Sequence, residues 1–150
     1  MANCTLARVC NADANVLLTL LDNQYKPALI YASECVRSSK HERDRICNAY
    51  DRVFMKIFAS NNIETIRLCQ FYSGYLPLEY QLDFARCKFI LRFILSNLNS
   101  YGLGNIYSCN LSEIDNILLK YKMMPTDSFN IIQLKLWSHF EHSLRDFLRV

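Results

Sequence analysis

A chain of 150 residues is the length of one ordinary domain. Its hydrophobic fraction, 51%, supplies a core, and its charged fraction, 21%, is too low and too balanced for a disordered chain. A formal net charge of +3 permits contact with nucleic acid without demanding it, because dedicated binders carry a stronger or more clustered excess.

Three Gly and three Pro are too few for the tight turns of a β-sandwich of this length, so helices are favoured. Seven cysteines, at 4, 10, 35, 47, 69, 87 and 109, form an odd set with no C-x-x-C. Several fall on apolar helical faces, where a thiol packs as a small hydrophobe. The set reads as reduced thiols of an intracellular protein, cytoplasmic or nuclear. The start, MANCTLARVC, lacks the apolar core of a secretory signal. The most apolar helix, around Phe89 to Leu98, is interrupted by Arg92, and no run reaches the ~20 apolar residues of a membrane span.

In chain order, residues 1–11 read as a short helix using Leu6, Val9 and Cys10. Asp13 is placed to cap the next helix, its carboxylate accepting first-turn amides. That helix is expected to turn Val16, Leu17, Leu20, Leu21 and Leu29 inward. Pro27 removes a backbone donor and clashes one turn back, so a kink is predicted near Asn23 to Lys26. Ser38 or Ser39 caps a second helix, and Glu42, three residues after Ser39, completes a capping box. Ile46, Tyr50, Val53, Phe54 and Ile57 recur at the helical period; Arg45, Asn48, Arg52 and Lys56 recur at the same period on the other face.

Asn61 or Asn62 opens a third helix with Ile63, Ile66 and Cys69 inward, and Ser73-Gly74 stops it. Pro77 suits the start of a fourth helix, about 77–98, which carries Leu82, Phe84, Phe89, Ile90, Leu91, Phe93, Ile94 and Leu95. A helix apolar nearly all round belongs at the centre of a bundle. Residues 99–109 read as the clearest loop. Asn110 and Glu113 form a second capping box ahead of a stripe of Leu111, Ile114, Ile117, Leu118 and Tyr121. After Pro125 a last helix carries Phe129, Ile132, Leu136, Trp137, Phe140, Leu144, Phe147 and Leu148.

The order of motifs from 14 to 58 resembles the segment after the polymerase palm in reverse transcriptases of non-LTR (LINE-type) retrotransposons. In that family a K-P-x-L-I-Y helix leads through a turn into an N-R-F-F-M-K-(I/L)-F helix. Here the stretches read Lys26-Pro27-Ala28-Leu29-Ile30-Tyr31 and Asp51-Arg52-Val53-Phe54-Met55-Lys56-Ile57-Phe58. Ser60-Asn61-Asn62-Ile63-Glu64 and Cys69-Gln70 are similar to the family's T-N-N-x-E and C-Q. The likeness covers roughly residues 2–95 and lies in order and spacing rather than in any single motif. It implies a thumb-like helical region, 1–98, beside a primer–template duplex. The implied partners are the backbone of an RNA–DNA or DNA duplex and the palm and fingers of a parent RNA-directed DNA polymerase.

Polymerase catalysis needs two carboxylates holding two metal ions about 4 Å apart. The family's aromatic-x-Asp-Asp turn has no counterpart: no two Asp are adjacent in this sequence. The reading is therefore of a non-catalytic fragment, with no catalytic residue, metal, cofactor, small-molecule substrate or membrane partner expected. Such a fragment is a relict reading frame or one part of a longer gene. The other aspartates, among them Asp51 and Asp83, are expected on helix surfaces or caps. His139, His142 and Asp146 are spaced to share one helical face, but the close Cys/His pairs of a zinc site are missing, so a solvated face is expected. Cys35 and Cys47 have basic neighbours but no base fixed beside them, and Gly102-x-Gly104 lacks the Lys-Ser or Lys-Thr of a phosphate loop.

The basic stripe is the strongest remaining signal. Arg45, Arg52 and Lys56, with Arg37 and Lys40 at the end, are the candidate nucleic-acid-binding residues. The plain alternative is a solvated face paired with Glu42, Asp44 and Asp51, and pattern alone favours it. The resemblance brings the phosphate reading level with it, since a thumb helix in this position tracks duplex backbone. A second alternative, from another class, is a helical protein-interaction module. The expected fold is all-α, a compact bundle of about six helices joined by short connections. After the thumb-like region come a loop at 99–110 and a C-terminal helical pair, 111–150, packing on the same bundle as a single domain.

Overall fold

The computed structural model describes residues 13–31, 38–97 and 114–148, with side chains placed except at 93–97 and 148. The fold is all-α, and the described residues contain no strand. The expected helix at 1–11, the loop at 99–110 and the capping box of Asn110 and Glu113 lie outside the described residues. The helices are α1 (Ala14–Leu20), α2 (Lys26–Ile30), α3 (Lys40–Ile57), α4 (Ile63–Tyr72), α5 (Leu78–Asn97), α6 (114–120) and α7 (Phe129–Leu148). Contacts group the chain into two units, Met1–Glu79 and Tyr80–Val150.

In the first unit Pro27 shapes the entry helix. Its nitrogen has no hydrogen to give the carbonyl one turn back, and its ring crowds that carbonyl. The chain answers with a π-helical turn, Leu21–Tyr25, in which the Lys26 amide reaches back to the Leu21 carbonyl. The wide turn fills the stretch where the kink is expected. Lys26 and Asp22 close across it at 2.6 Å. The inward face is that of Leu18 and Leu21, and Val16, read as inward, is half exposed. Two residues of helix rotate the chain about 200°, so Val16 lies opposite Leu18.

The core of this unit is aromatic. Phe54 is fully buried, with its centroid 5.1 Å from Tyr50, 5.7 Å from Tyr75 and 6.2 Å from Phe58. Tyr75 also donates its hydroxyl to the Leu18 carbonyl at 3.2 Å, which ties the segment after α4 to α1. On α4 the side chain of Asn62 caps the helix through the Glu64 amide. Ile66 and Gln70 are fully buried, whereas Ile63, expected inward, is exposed. Ile63 is the first helical residue, ahead of the turn that packs, and the inward position one turn after Ile66 belongs to a glutamine whose amide is satisfied there.

α4 stops as expected at Gly74, whose φ is +76°. The Tyr75 amide bonds the Gln70 carbonyl and the Gly74 amide the Phe71 carbonyl, the paired bonds of a Schellman motif. α6 stops the same way with Lys122 at φ 53°, and α3 stops at Ala59, φ 49°, with the Ser60 amide bonded to the Met55 carbonyl. Only the first of these stops was legible in the sequence, because the other two lack glycine.

In the second unit α5 buries side chains on every side between Leu82 and Leu91, as its composition requires. Three polar residues share that burial: Gln81, Asp83 and Arg86. Ile114, Ile117, Leu118 and Tyr121 are buried along and just after α6. α7 buries Ile132, Leu136, Phe140 and Leu144 at strict four-residue spacing. Phe147, expected inward, is exposed; it stands about 60° around the helix from the row that holds Leu144.

Candidate nucleic-acid interface

The candidate interface is built on α3. Its first turn is fixed by the Ser39–Glu42 capping box: the Glu42 amide donates to Ser39 Oγ at 3.3 Å, and the Ser39 amide donates to Glu42 Oε2 at 2.8 Å. Ser39 Oγ donates to the same carboxylate at 2.9 Å. The backbone hydrogen bond from Ser39, then that of its hydroxyl, holds the Glu42 carboxyl below its usual range. Glu42 is therefore committed to the helix start.

With the inner face set by Tyr50, Val53 and Phe54, the outer face follows from helical rotation. At 100° per residue Arg45, Arg52 and Lys56 fall within roughly 40° of one another and span about 16 Å of helix axis. All three are exposed, as are Asn48 and Ala49 beside them. Lys40, also exposed, lies about 140° around the helix from Arg45, so it does not join the stripe. Arg37 lies outside the described residues.

Asp51, expected as a surface counter-charge for the stripe, turns inward instead. It is 6% exposed, and Arg67 of α4 grips it with both guanidinium nitrogens, at 2.7 and 2.9 Å. The buried Gln70 donates to the same carboxylate at 3.3 Å and accepts from Arg67 at 2.8 Å. A buried carboxylate needs such partners, because leaving water unpaired costs several kcal/mol. Of the three acids expected to neutralise the stripe, Asp51 is turned inward, and Glu42 is held by the cap while still feeling the charge of Arg45. The residues one turn either side of Arg52 are Asn48 and Lys56; Arg45 has His41 and Ala49 at four residues and Glu42 at three.

Asp83, also expected on a surface, is buried in the second unit. It accepts from Tyr121 Oη at 2.6 Å and from Lys120 Nζ at 3.0 Å. Neither burial shows in the sequence, because the partners of each aspartate lie elsewhere in the chain.

His139, His142, Ser143 and Asp146 line a concave groove of about 440 Å³ with Phe147. His139 Nδ1 is 3.3 Å from the Tyr80 hydroxyl, and its ring packs edge-on to Tyr121 at 5.0 Å. Among the described residues no three His, Cys, Asp or Glu side chains are gathered as a metal site. Burial pushes the thiols of Cys47 and Cys87 up to about 11, which keeps both protonated near neutrality and poor as nucleophiles. Cys35 and the Gly102–Gly104 stretch lie outside the described residues. No described helix is long and apolar enough to cross a membrane. Comparison of the chain with protein-family models, curated proteins and solved structures gives no match.

Proposed function

We propose that the chain is a thumb-type helical region of a LINE-type, RNA-directed DNA polymerase and that it supports the grip on an RNA–DNA duplex without catalysing synthesis. The observation that carries this reading is the outer face of α3, where Arg45, Arg52 and Lys56 share one exposed stripe and Asp51 is turned inward to Arg67. The ordered motifs from Lys26 to Gln70 supply the family resemblance. The same stripe on a protein-interaction module would need acidic partners rather than phosphates.

A grip of this size is weak alone. About three phosphates would be met, one for each side chain of the stripe, each giving a salt slope near −0.9, for a dissociation constant on the order of 10⁻⁴ to 10⁻⁶ M. In a whole polymerase the effective concentration set by tethering to a palm would replace that affinity. The test is a titration of labelled RNA–DNA hybrid at several salt concentrations with wild type and with Arg45→Glu/Arg52→Glu. Wild type should bind without regard to base sequence, since backbone contacts carry none. The double variant should lose binding while keeping its helical signal, because both positions face away from the core. Identical curves for the two proteins would overturn the reading and favour the solvated face.

A further inference from the structure

In the second unit two cations converge on one ring. Lys88 and Arg92 stand one turn apart on α5, and both lie over Phe129, the first residue of α7. The Lys88 ammonium is 5.7 Å, and the Arg92 guanidinium carbon 5.4 Å, from its centroid. Lys88 also lies 5.9 Å from the ring of Phe84, one turn earlier. A ring face attracts each cation, but two like charges on one ring repel each other, and an anion between them relieves that repulsion.

Among the described residues the neighbourhood offers little negative charge of its own. One turn either side of Lys88 stand Phe84 and Arg92, and one turn either side of Arg92 stand Lys88 and Ser96. The first turn of α7 carries no acid. Asp127, two residues before Phe129, accepts from Lys135 Nζ at 2.6 Å and from the Met124 amide at 2.8 Å. Asp83, five residues before Lys88, is turned to Lys120 and Tyr121.

We propose that Lys88 and Arg92, carried on Phe129, form a second contact for the phosphodiester backbone of nucleic acid, on the unit 80–150. The inference rests on the reading of the chain as a nucleic-acid grip. An arginine fork and a lysine point charge side by side suit the oxyanions of a phosphate, and cations interleaved with aromatic rings mark backbone-tracking surfaces. Periodicity did not reveal the pair, because Lys88 and Phe129 are far apart in sequence and meet only in the fold.

The experiment is the hybrid titration from 50 to 200 mM salt on the full chain, with Lys88→Gln/Arg92→Gln, Lys88→Arg/Arg92→Lys and Phe129→Leu, each checked for helical content. Removing both charges should make the salt slope shallower by roughly 1.8, two contacts at about 0.9 each, whereas the charge-conserving pair should keep the wild-type slope. Phe129→Leu, which keeps bulk and removes the ring face, should weaken binding about two- to fivefold. A wild-type slope in the charge-removed variant would overturn this inference and leave the α3 stripe standing. Loss of slope there, with Arg45→Glu/Arg52→Glu unaffected, would support the pair and overturn the stripe. A wild type that fails to bind at 50 mM salt would overturn both.

Discussion

Each unit buries one aspartate, and the two are held in different ways. Asp51 is gripped by both nitrogens of Arg67 and shares a three-member network with the fully buried Gln70. Asp83 accepts from a tyrosine hydroxyl and from Lys120, whose side chain is 42% exposed. The fork of an arginine fixes direction as well as charge, whereas an ammonium on a flexible stem fixes only charge. The first arrangement therefore sets the register of α4 on α3, and the second mainly neutralises an acid inside an apolar helix. The difference also places Asp51 away from the outer face of α3, where Arg45, Arg52 and Lys56 are exposed.

The largest expected effect comes from breaking these clusters. Asp51→Ala strands a half-buried guanidinium and a buried amide, and should cost about 2 to 4 kcal/mol, the cost of a broken buried pair reduced for the exposed side of Arg67. Asp83→Ala should cost less, about 1 to 3 kcal/mol, most of it the unsatisfied Tyr121 hydroxyl. Urea unfolding curves of the two variants check the order. Arg67→Lys should recover little of the first cluster, while Lys120→Arg should be nearly neutral in the second. Equal costs for Arg67→Lys and Lys120→Arg would sink the distinction.

Smaller effects come from the helix stops. Gly74, Ala59 and Lys122 all sit in left-handed backbone. A side chain there costs roughly 1 to 2 kcal/mol. Ala59→Gly in the first unit and Lys122→Gly in the second should each raise stability by about 0.5 to 1 kcal/mol, net of the unfolded-state entropy that glycine adds. Gly74→Ala should lower it by a similar amount, although nothing lies within 4 Å of the added methyl to clash with it. Thermal melts give all three signs. A destabilised Ala59→Gly would mean that the αL conformation is not what limits the stop of α3.

How much of this was legible follows the range of the forces. The capping box of Ser39 and Glu42, the glycine stop at 74 and the disturbance before Pro27 are set by neighbours a few residues away, and the sequence shows all three. The apolar rows on α3 and α7 are periodic, and among the described side chains Phe147 alone of the two rows is exposed. The stripe at Arg45, Arg52 and Lys56 was legible for the same periodic reason, and Lys40 was misplaced with it because nearness in sequence is not nearness on a helix. Asp51 and Asp83 were not legible as buried, since their partners Arg67, Gln70, Lys120 and Tyr121 lie 16 to 38 residues away. Lys88 and Arg92 were passed over for the same reason.

The smallest expected effect separates two acids that anchor turns, exposed Glu42 in the first unit and half-buried Asp127 in the second. Glu42 is held below its ordinary 4.5 first by the backbone hydrogen bond from Ser39, and Asp127 below its ordinary 3.8 first by the hydrogen bond from the Lys135 side chain. A folded-state carboxyl pKa below the unfolded one contributes stability that is present above the unfolded value and lost as pH falls through the folded value. Glu42→Gln keeps the capping box and removes the titration; Asp127→Asn keeps an acceptor and removes the charge. The melting difference between wild type and each variant should therefore be full at pH 7 and should shrink as pH drops below 4.5 for Glu42 and below 3.8 for Asp127. Salt should tell the two apart at pH 7. The partner of Asp127 is an ammonium, so 1 M salt, with a Debye length of about 3 Å, should erase much of that difference. The first partner of Glu42 is a neutral amide in direct contact, so its difference should survive. Equal salt sensitivity in the two units would show that His41 and Arg45, rather than the cap, hold the Glu42 carboxylate ionised.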